Sequence, residues 1–355
     1  MKIAILGLGL IGGSLAKAIK NVRPDIFISG FDLPEITAQA FAENVIDEQL
    51  LSSIDVKDSD VVFLCLPTEL SIQEIERLAP VVKSGSIITD VCSVKRVLEK
   101  KWDLLQSDGK YIGGHPMTGK EKGGFENSDP ILFENAIYIL TGKEAELPSS
   151  QTLIDLLTAI GAKIKFLDAS LHDTIVANVS HLPQLVAVSL VNAALNGDQH
   201  AFKDFAAGGF RDLTRIASSD FLIWEQIIRK NRIHILTALT KFQKTIADIS
   251  TSIEKEDFSS LKLAFEKAKE KRDEIPKNSK GFLNPLSDIF IFVKDEPGVL
   301  FKMAEILFRN NISIKDVEIL KMREGTGGTM RLSFDTKEIA KKAKGLIEQV
   351  GFKTR

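Results

Sequence analysis

The chain has 355 residues, with 46 Lys and Arg against 48 Asp and Glu, a formal net charge of -2. At roughly 150 residues per domain this length predicts two or three domains, and the balanced charge lacks the positive excess that nucleic-acid binding draws on. Two cysteines, Cys65 and Cys92, cannot build a disulfide framework; both sit in apolar runs, which points to a reducing cytoplasm. Met1-Lys2 followed by Ile3-Ala4-Ile5-Leu6 imitates a signal peptide, but the glycines and the amphipathic pattern that follow read as a folded strand and helix. The richest apolar stretch, Leu182 to Leu195, is broken by Pro183, Gln184, Ser189 and Asn192, so a soluble protein with no membrane span is expected.

Residues 1–167 alternate short apolar runs with helical patterns. The runs are Ile3–Leu6, Ile26–Phe31, Val61–Leu66, Ile87–Thr89, Tyr111–Gly113, Ile137–Leu140 and Lys163–Leu167. That rhythm predicts a mostly parallel, doubly wound α/β sheet. Residues 168–280 lose the strand signal and read as all-α. Ile175, Val179, Leu182, Leu185, Val186 and Leu190 spread around one helix, which must be buried nearly all round, by a second subunit or by an intrachain partner. The charged segment Glu254–Lys280 reads as a surface helix and then a linker. Residues 287–355 follow the order β, α, β, β, α, with a short last strand at Phe352, which predicts a small α+β ferredoxin-like domain.

Gly7-Leu8-Gly9-Leu10-Ile11-Gly12 follows the first strand directly and opens a helix, the context that the Rossmann dinucleotide fingerprint requires. Gly7 permits the tight turn, Gly9 removes a side chain from the path of the pyrophosphate, and Gly12 lets helix and strand pack closely. The amides of Leu10 and Ile11 at the helix start face the phosphates. Asp32 lies 20 residues past Gly12, where a carboxylate binds the ribose hydroxyls of NAD and repels a 2'-phosphate, favouring NAD over NADP. The pattern calls for no metal.

A nicotinamide enzyme that oxidises an alcohol needs a base for the hydroxyl proton, and five histidines are available. His115, in Gly113-Gly114-His115-Pro116-Met117-Thr118-Gly119, stands in a loop after a strand; capping of a following helix is its alternative role.

The chain resembles the prephenate and arogenate dehydrogenases of tyrosine biosynthesis over almost its whole length. The residues that carry the likeness are Gly7–Ser14, Asp90–Lys95, the His115 loop through Glu121-Lys122, Ser180-His181-Leu182-Pro183, and Gly208–Ala217 with Ser219-Asp220 and Trp224. The resemblance implies NAD-dependent oxidative decarboxylation of prephenate or arogenate, with hydride passing to NAD, carbon dioxide leaving and the ring becoming aromatic. It implies His115 as the base and Ser93 as its hydrogen-bonding partner. Arg215 would grip a carboxylate with its two-pronged guanidinium, although a salt bridge to Asp212 or Asp220 would occupy it equally well. His181, Gly208, Glu121 and Trp224 would complete the substrate pocket, with His181 and Trp224 also readable as core residues and Glu121-Lys122 as a solvated pair. A homodimer is implied as well.

Two departures stand out. The family often has a small residue where this chain has Lys120, and another where it has Gly123, so the far rim of the pocket is expected to differ in charge. Gln184 stands where many members carry a second histidine facing the substrate side chain, and an amide can accept from an ammonium or donate to a keto group, which admits arogenate. If burial and charge effects cancel at His115, activity should fall in acid near the ordinary histidine pKa of about 6.5.

Residues 287–355 also look like the ACT-type amino-acid-sensing domain. By that likeness Asp295 and Gly298 in the first strand-to-helix loop, with Asn311 and Ile312 opposite, receive an effector, and tyrosine feedback is the expected function. A purely structural pairing domain is the alternative. The strand Ile289–Val293 is apolar on both faces, so its second face calls for cover.

Overall fold

A computed structural model describes residues 1–120, 122–143, 148–194, 205–274, 286–323 and 327–354. The chain divides into two compact units, Met1–Leu261 and Lys262–Arg355.

The first unit is built on an eight-stranded sheet. Its strands are β1 (Lys2–Leu6), β2 (Phe27–Phe31), β3 (Glu48–Gln49), β4 (Val61–Leu64), β5 (Ile87–Asp90), β6 (Lys110–Pro116), β7 (Ile137–Thr141) and β8 (Lys163–Phe166), in the spatial order β3-β2-β1-β4-β5-β6-β7-β8. The first six run parallel; β7 is antiparallel to β6, and β8 is parallel to β7. Side chains alternate across β1, so Ile3 and Ile5 enter one core and Ala4 and Leu6 the other. Helix α1 (Leu10–Val22) covers the first face with Leu15 and Ile19, and α3 (Thr68–Leu78), which follows α2 (Pro34–Ala42), covers the second with Ile75 and Leu78. Each such fully buried aliphatic side chain is worth about 1.5–3 kcal/mol. This is the doubly wound sheet expected from the alternation of runs. The short β3 was not among the expected strands, because Glu48-Gln49 has no apolar run to announce it.

Asp90, at the end of β5, is fully buried and forms an ion pair with the equally buried Lys95, which precedes α4 (Arg96–Trp102). Asp90 also accepts from the Tyr111 hydroxyl at 2.6 Å and from the Cys92 amide at 2.8 Å, while the Lys95 Nζ donates to the Gly114 carbonyl at 2.5 Å. The pair therefore ties the loop after β5 to β6.

Beyond α5 (Gln151–Ala159) and β8, helices take over. Asp168 caps α6 (Ala169–Val176) by accepting from the Ser170 and Leu171 amides. A π turn, Ala177–His181, joins it to α7 (Leu182–Ala194). After α8 (Gly208–Thr214) and the 3-10 turn Arg215–Ser218 come α9 (Phe221–Lys230), α10 (Arg232–Glu254) and α11 (Phe258–Glu274), the last with no buried residue. By length and composition alone the stretch Ala169–Ala194 could span a bilayer, a window of 18 residues within it having a mean hydropathy of 1.5. It nevertheless carries His172, Asp173, His181 and Gln184, all buried in the protein. Expected to be buried nearly all round, it is only partly covered within one chain, with Val179 61 % exposed.

The second unit is a four-stranded antiparallel sheet in the order β10-β11-β9-β12, formed by β9 (Ser287–Val293), β10 (Asp316–Arg323), β11 (Gly327–Phe334) and β12 (Lys353–Thr354). One face packs on α12 (Val299–Arg309) and α13 (Lys337–Gln349) through Ile289, Ile291, Val293, Met303, Leu307 and Ile347. On the other face Phe292 is 51 % exposed, as the two-sided apolar pattern foretold.

Replacing Lys95 with Met leaves the Asp90 carboxylate buried without its cation, and a loss of about 3–5 kcal/mol is expected in urea unfolding of the full chain. Adding Asp90→Asn should recover most of it. A single-variant loss under about 1 kcal/mol would show that the pair does not hold the β5–β6 edge.

Candidate functional site

The ends of β1, β4, β5 and β6 lead into Gly7, Cys65, the Ser93 loop and His115, so the carboxyl edge of the sheet gathers the glycine turn and His115. Gly7 has φ of +95°, and a Cβ there would lie 2.4 Å from the Cys65 carbonyl oxygen. A Cβ on Gly12 would lie 1.9 Å from the Gly7 carbonyl oxygen, so this glycine permits the contact between turn and helix. Gly9 differs: nothing lies within 4 Å of its Cβ position, which leaves the space open for a ligand. It is the N-cap residue of α1, with no side-chain cap, and Leu10 and Ile11 form the first turn.

Gly7 and Gly9 line a cleft of about 770 Å³ with Asp32, Leu33, Leu50, Leu66, Pro67 and other residues. Asp32 accepts from the Leu8 amide at 2.5 Å and from the Leu33 amide at 2.7 Å, which clamps the acid at the cleft beside the glycine turn. Open glycine, uncapped helix start, fixed carboxylate and apolar wall fit a dinucleotide.

His115 is 8 % exposed at the end of β6. Its Nδ1 lies 2.8 Å from Nε2 of His172, and Nδ1 of His172 lies 2.8 Å from Oδ1 of Asp173. Asp173 also accepts from the Lys95 amide at 2.8 Å and the Arg96 amide at 3.1 Å, joining α6 to the loop after β5. Asn231, at the start of α10, donates to the Asp173 carbonyl at 2.8 Å and lies 3.2 Å from Nδ1 of His181. If Asn231 donates to that nitrogen, Nε2 of His181 carries a proton, and this buried atom has no partner among the described residues. The Trp224 ring stacks edge-on against His181, with centroids 5.9 Å apart.

Burial lowers the His115 pKa well below the ordinary histidine range, and His172, Lys95 and His181 push the same way. The expected cancellation of burial and charge does not occur, because every neighbouring influence on His115 disfavours the imidazolium. His172 is also lowered by burial, against the opposing pull of Asp173. His181 is pushed down to about 4, again by burial. Burial works to raise Asp173, but the bonds from His172, Lys95 and Arg96 outweigh it and hold the carboxyl below its usual value.

The partner of His115 is therefore His172 and not Ser93. Ser93 is half-buried between Cys92 and Val94, and no described hydrogen bond joins it to the imidazole, whose Nδ1 is already occupied. Gln184 is buried and its amide nitrogen donates to the Ile216 carbonyl at 2.9 Å, so it braces the turn that begins with Arg215. Arg215 itself is exposed, as is Gly208 at the start of α8. Glu121 lies outside the described residues. In the second unit, Asn311 adopts φ of 54° and Ile312 packs on the core, while Gly298, φ +84°, opens α12. A cavity of that unit, about 820 Å³, is lined by Lys294, Glu296, Val299, Lys302, Phe292, Phe352 and neighbours, and its lining omits Asp295, Gly298, Asn311 and Ile312.

Sequence reading missed His172, Asp173 and Asn231. Their signal is a His-Asp pair on an otherwise apolar helix, where two buried polar groups must find partners.

Residues 15–166 match the family model described as prephenate dehydrogenase, nucleotide-binding domain, and residues 168–267 match prephenate dehydrogenase, dimerization domain. The chain is 37% identical to the prephenate dehydrogenase of Bacillus subtilis over 98% of its own length and 95% of that protein. It is 31% identical to the cyclohexadienyl dehydrogenase of Zymomonas mobilis, over 76% of this chain and 94% of that one. Among solved structures, a prephenate dehydrogenase from A. aeolicus in complex with hydroxyphenyl propionate and NAD+ superposes with a TM-score of 0.71 at 30% identity, covering 78% of this chain and 98% of that one.

The contrast between two glycines gives a test. Gly9→Ala should fold with an unchanged melting temperature and bind NAD at least about tenfold more weakly, whereas Gly12→Ala should lower the melting temperature itself. Calorimetry on both variants checks this; NAD affinity unaltered in Gly9→Ala would remove the phosphate path from that residue.

Proposed function

This chain belongs to the prephenate dehydrogenase family, and from that premise we infer how its residues perform NAD-dependent oxidative decarboxylation of prephenate to 4-hydroxyphenylpyruvate in tyrosine biosynthesis. The observation that carries the reading is a buried histidine at the sheet edge with one ring nitrogen occupied and the other, Nε2, left for substrate. Bound NAD+ supplies the hydride acceptor. His115 Nε2 takes the proton of the ring hydroxyl as hydride leaves the same carbon, loss of carbon dioxide then sends its electron pair into the ring, and the proton returns to the phenolic oxygen. Ser93, half-buried on the neighbouring loop, is suited to bind the hydroxyl directly. The unpartnered His181 Nε2 is suited to donate to a substrate oxygen, relieving the cost of about 1–3 kcal/mol for a buried group left unpaired. Arg215 provides the carboxylate grip, with Gly208 and Trp224 as further candidates for the pocket and Glu121, outside the described residues, carried by the family resemblance alone.

A second reading adds arogenate. One N–H of the Gln184 amide is committed to the Ile216 carbonyl; its second N–H and its carbonyl oxygen remain, and that oxygen can accept from the ammonium of arogenate as the N–H can donate to the keto group of prephenate. The helical part bears exposed Phe221, Leu222, Ile223 and Ile233, which supports assembly as a homodimer. In the second unit, Lys302 and Glu296 beside apolar Val299 and Phe352 offer the opposite charges and greasy wall that an amino acid such as tyrosine needs, and feedback by tyrosine is the regulation we assign to it. The free thiols of Cys65 and Cys92 suit a reducing cytoplasm.

NADH formation with prephenate or arogenate, each with and without tyrosine, tests these readings together. Prephenate should turn over, arogenate should turn over measurably, tyrosine should slow both, and His115→Asn should lose at least roughly a hundredfold in kcat. A loss below tenfold for His115→Asn would remove it as the base, and a rate indifferent to tyrosine would leave the second unit as a pairing module.

A further inference from the structure

We propose that His172 and Asp173 are positioning residues that fix the tautomer of His115, keeping its Nε2 bare and aimed at the substrate hydroxyl. The inference rests on the reading of His115 as the base, and it follows from the order of donors along one buried chain. Asp173 is gripped by the amides of Lys95 and Arg96, two donors that favour its ionised form. An ionised carboxylate only accepts, so the contact of 2.8 Å between Asp173 Oδ1 and His172 Nδ1 requires the hydrogen on Nδ1. A neutral His172 then has a bare Nε2, which can only accept. The next contact, 2.8 Å to His115 Nδ1, therefore requires the hydrogen on that Nδ1, and the neutral His115 has its lone pair on Nε2.

Each link is enclosed. His172 is fully buried, Asp173 is 3 % exposed and His115 is 8 % exposed, so water does not offer alternative partners to the two inner groups. The reversed chain would put a hydrogen on Nε2 of both imidazoles and leave two acceptors, Nδ1 of His172 and the carboxylate, facing each other, an arrangement the geometry penalises.

When His115 Nε2 takes the hydroxyl proton, the imidazolium keeps its Nδ1 hydrogen bonded to His172, and His172 keeps its own on Asp173. No proton needs to pass along the chain; the carboxylate stabilises the transient positive charge through two polarised hydrogen bonds. The device resembles the base and carboxylate of a hydrolase triad with one imidazole inserted between them. The carboxylate's anchor on the Lys95 and Arg96 amides sets its position from the sheet side, so the base is registered to β5 and β6 and to the helical part at once.

Two measurements test the proposal on the full-length protein. The first is heteronuclear NMR of isotope-labelled histidine ring nitrogens at about pH 7.5, where five histidines keep the spectrum tractable and His115→Asn identifies the signals of His115. His115 and His172 should both show a protonated Nδ1 and a bare Nε2; a protonated Nε2 on neutral His115 would overturn the proposal. The second is steady-state kinetics. His172→Phe removes the acceptor and should lower kcat at least about a hundredfold with the KM for NAD within about threefold. His172→Gln restores an acceptor oxygen and should recover kcat to within about tenfold of wild type. A kcat for His172→Phe within about threefold of wild type would contradict it, as would equal impairment of both variants. If the wild-type chain failed to oxidise prephenate, the functional reading would fall while the NMR spectrum still decided the tautomer.

Discussion

The carboxylate of Asp173 is the joint on which the site depends. It accepts the Lys95 and Arg96 amides from the loop after β5 and the His172 ring from its own helix, and His172 holds His115 at the end of β6. Three pieces of chain are thereby held at one point, with the His172 and Asp173 side chains buried. Beneath it the Asp90–Lys95 pair, both fully buried, fixes the same loop to the Gly114 carbonyl next to the base. Such buried polar networks are costly when broken and specific when complete, because each member has only one arrangement that satisfies its neighbours.

The nucleotide side is built on a different constraint, close backbone approach. Gly7 and Gly12 allow the turn and helix to close on one another, whereas Gly9 leaves open the space in front of the uncapped start of α1. Asp32, held by two backbone amides, stands ready at the cleft before any ligand arrives. The two halves of the site thus meet at one edge of the sheet, the glycine turn shaped by backbone approach and the His115 side shaped by a side-chain network.

Much of this was legible in the sequence, and the reasons are physical. Apolar runs such as Val61–Leu64 announce strands buried on both faces, and a glycine pattern after the first of them announces a dinucleotide turn. Glu48-Gln49 was missed as a strand because its pairing to β2 is carried by backbone alone. The partner of His115 was assigned to Ser93 by resemblance, whereas Nδ1 is occupied by His172. That pairing spans 57 residues and depends on how α6 docks on the sheet, information that no local pattern carries. The π turn at Ala177–His181 is illegible for the same reason, being a packing response that turns His181 toward Asn231 and Trp224. Gln184 was read as a contact to substrate, and one of its donors is committed to the turn at Ile216, a tie that no local pattern announces.

The central claim is that His115 sits neutral, in the form able to accept a proton, throughout the physiological range. Burial and three positive or ionisable neighbours all lower its pKa, so the free enzyme keeps its base unprotonated deeper into acid than an ordinary histidine would. The pH profile of kcat/KM for prephenate, at saturating NAD, reads this directly. The account predicts a level profile from about pH 8 down through about 6.5, with the acid fall well below that value. Half-loss of kcat/KM near pH ~6.5 would contradict it, because it would mean that the base titrates as a solvated imidazole.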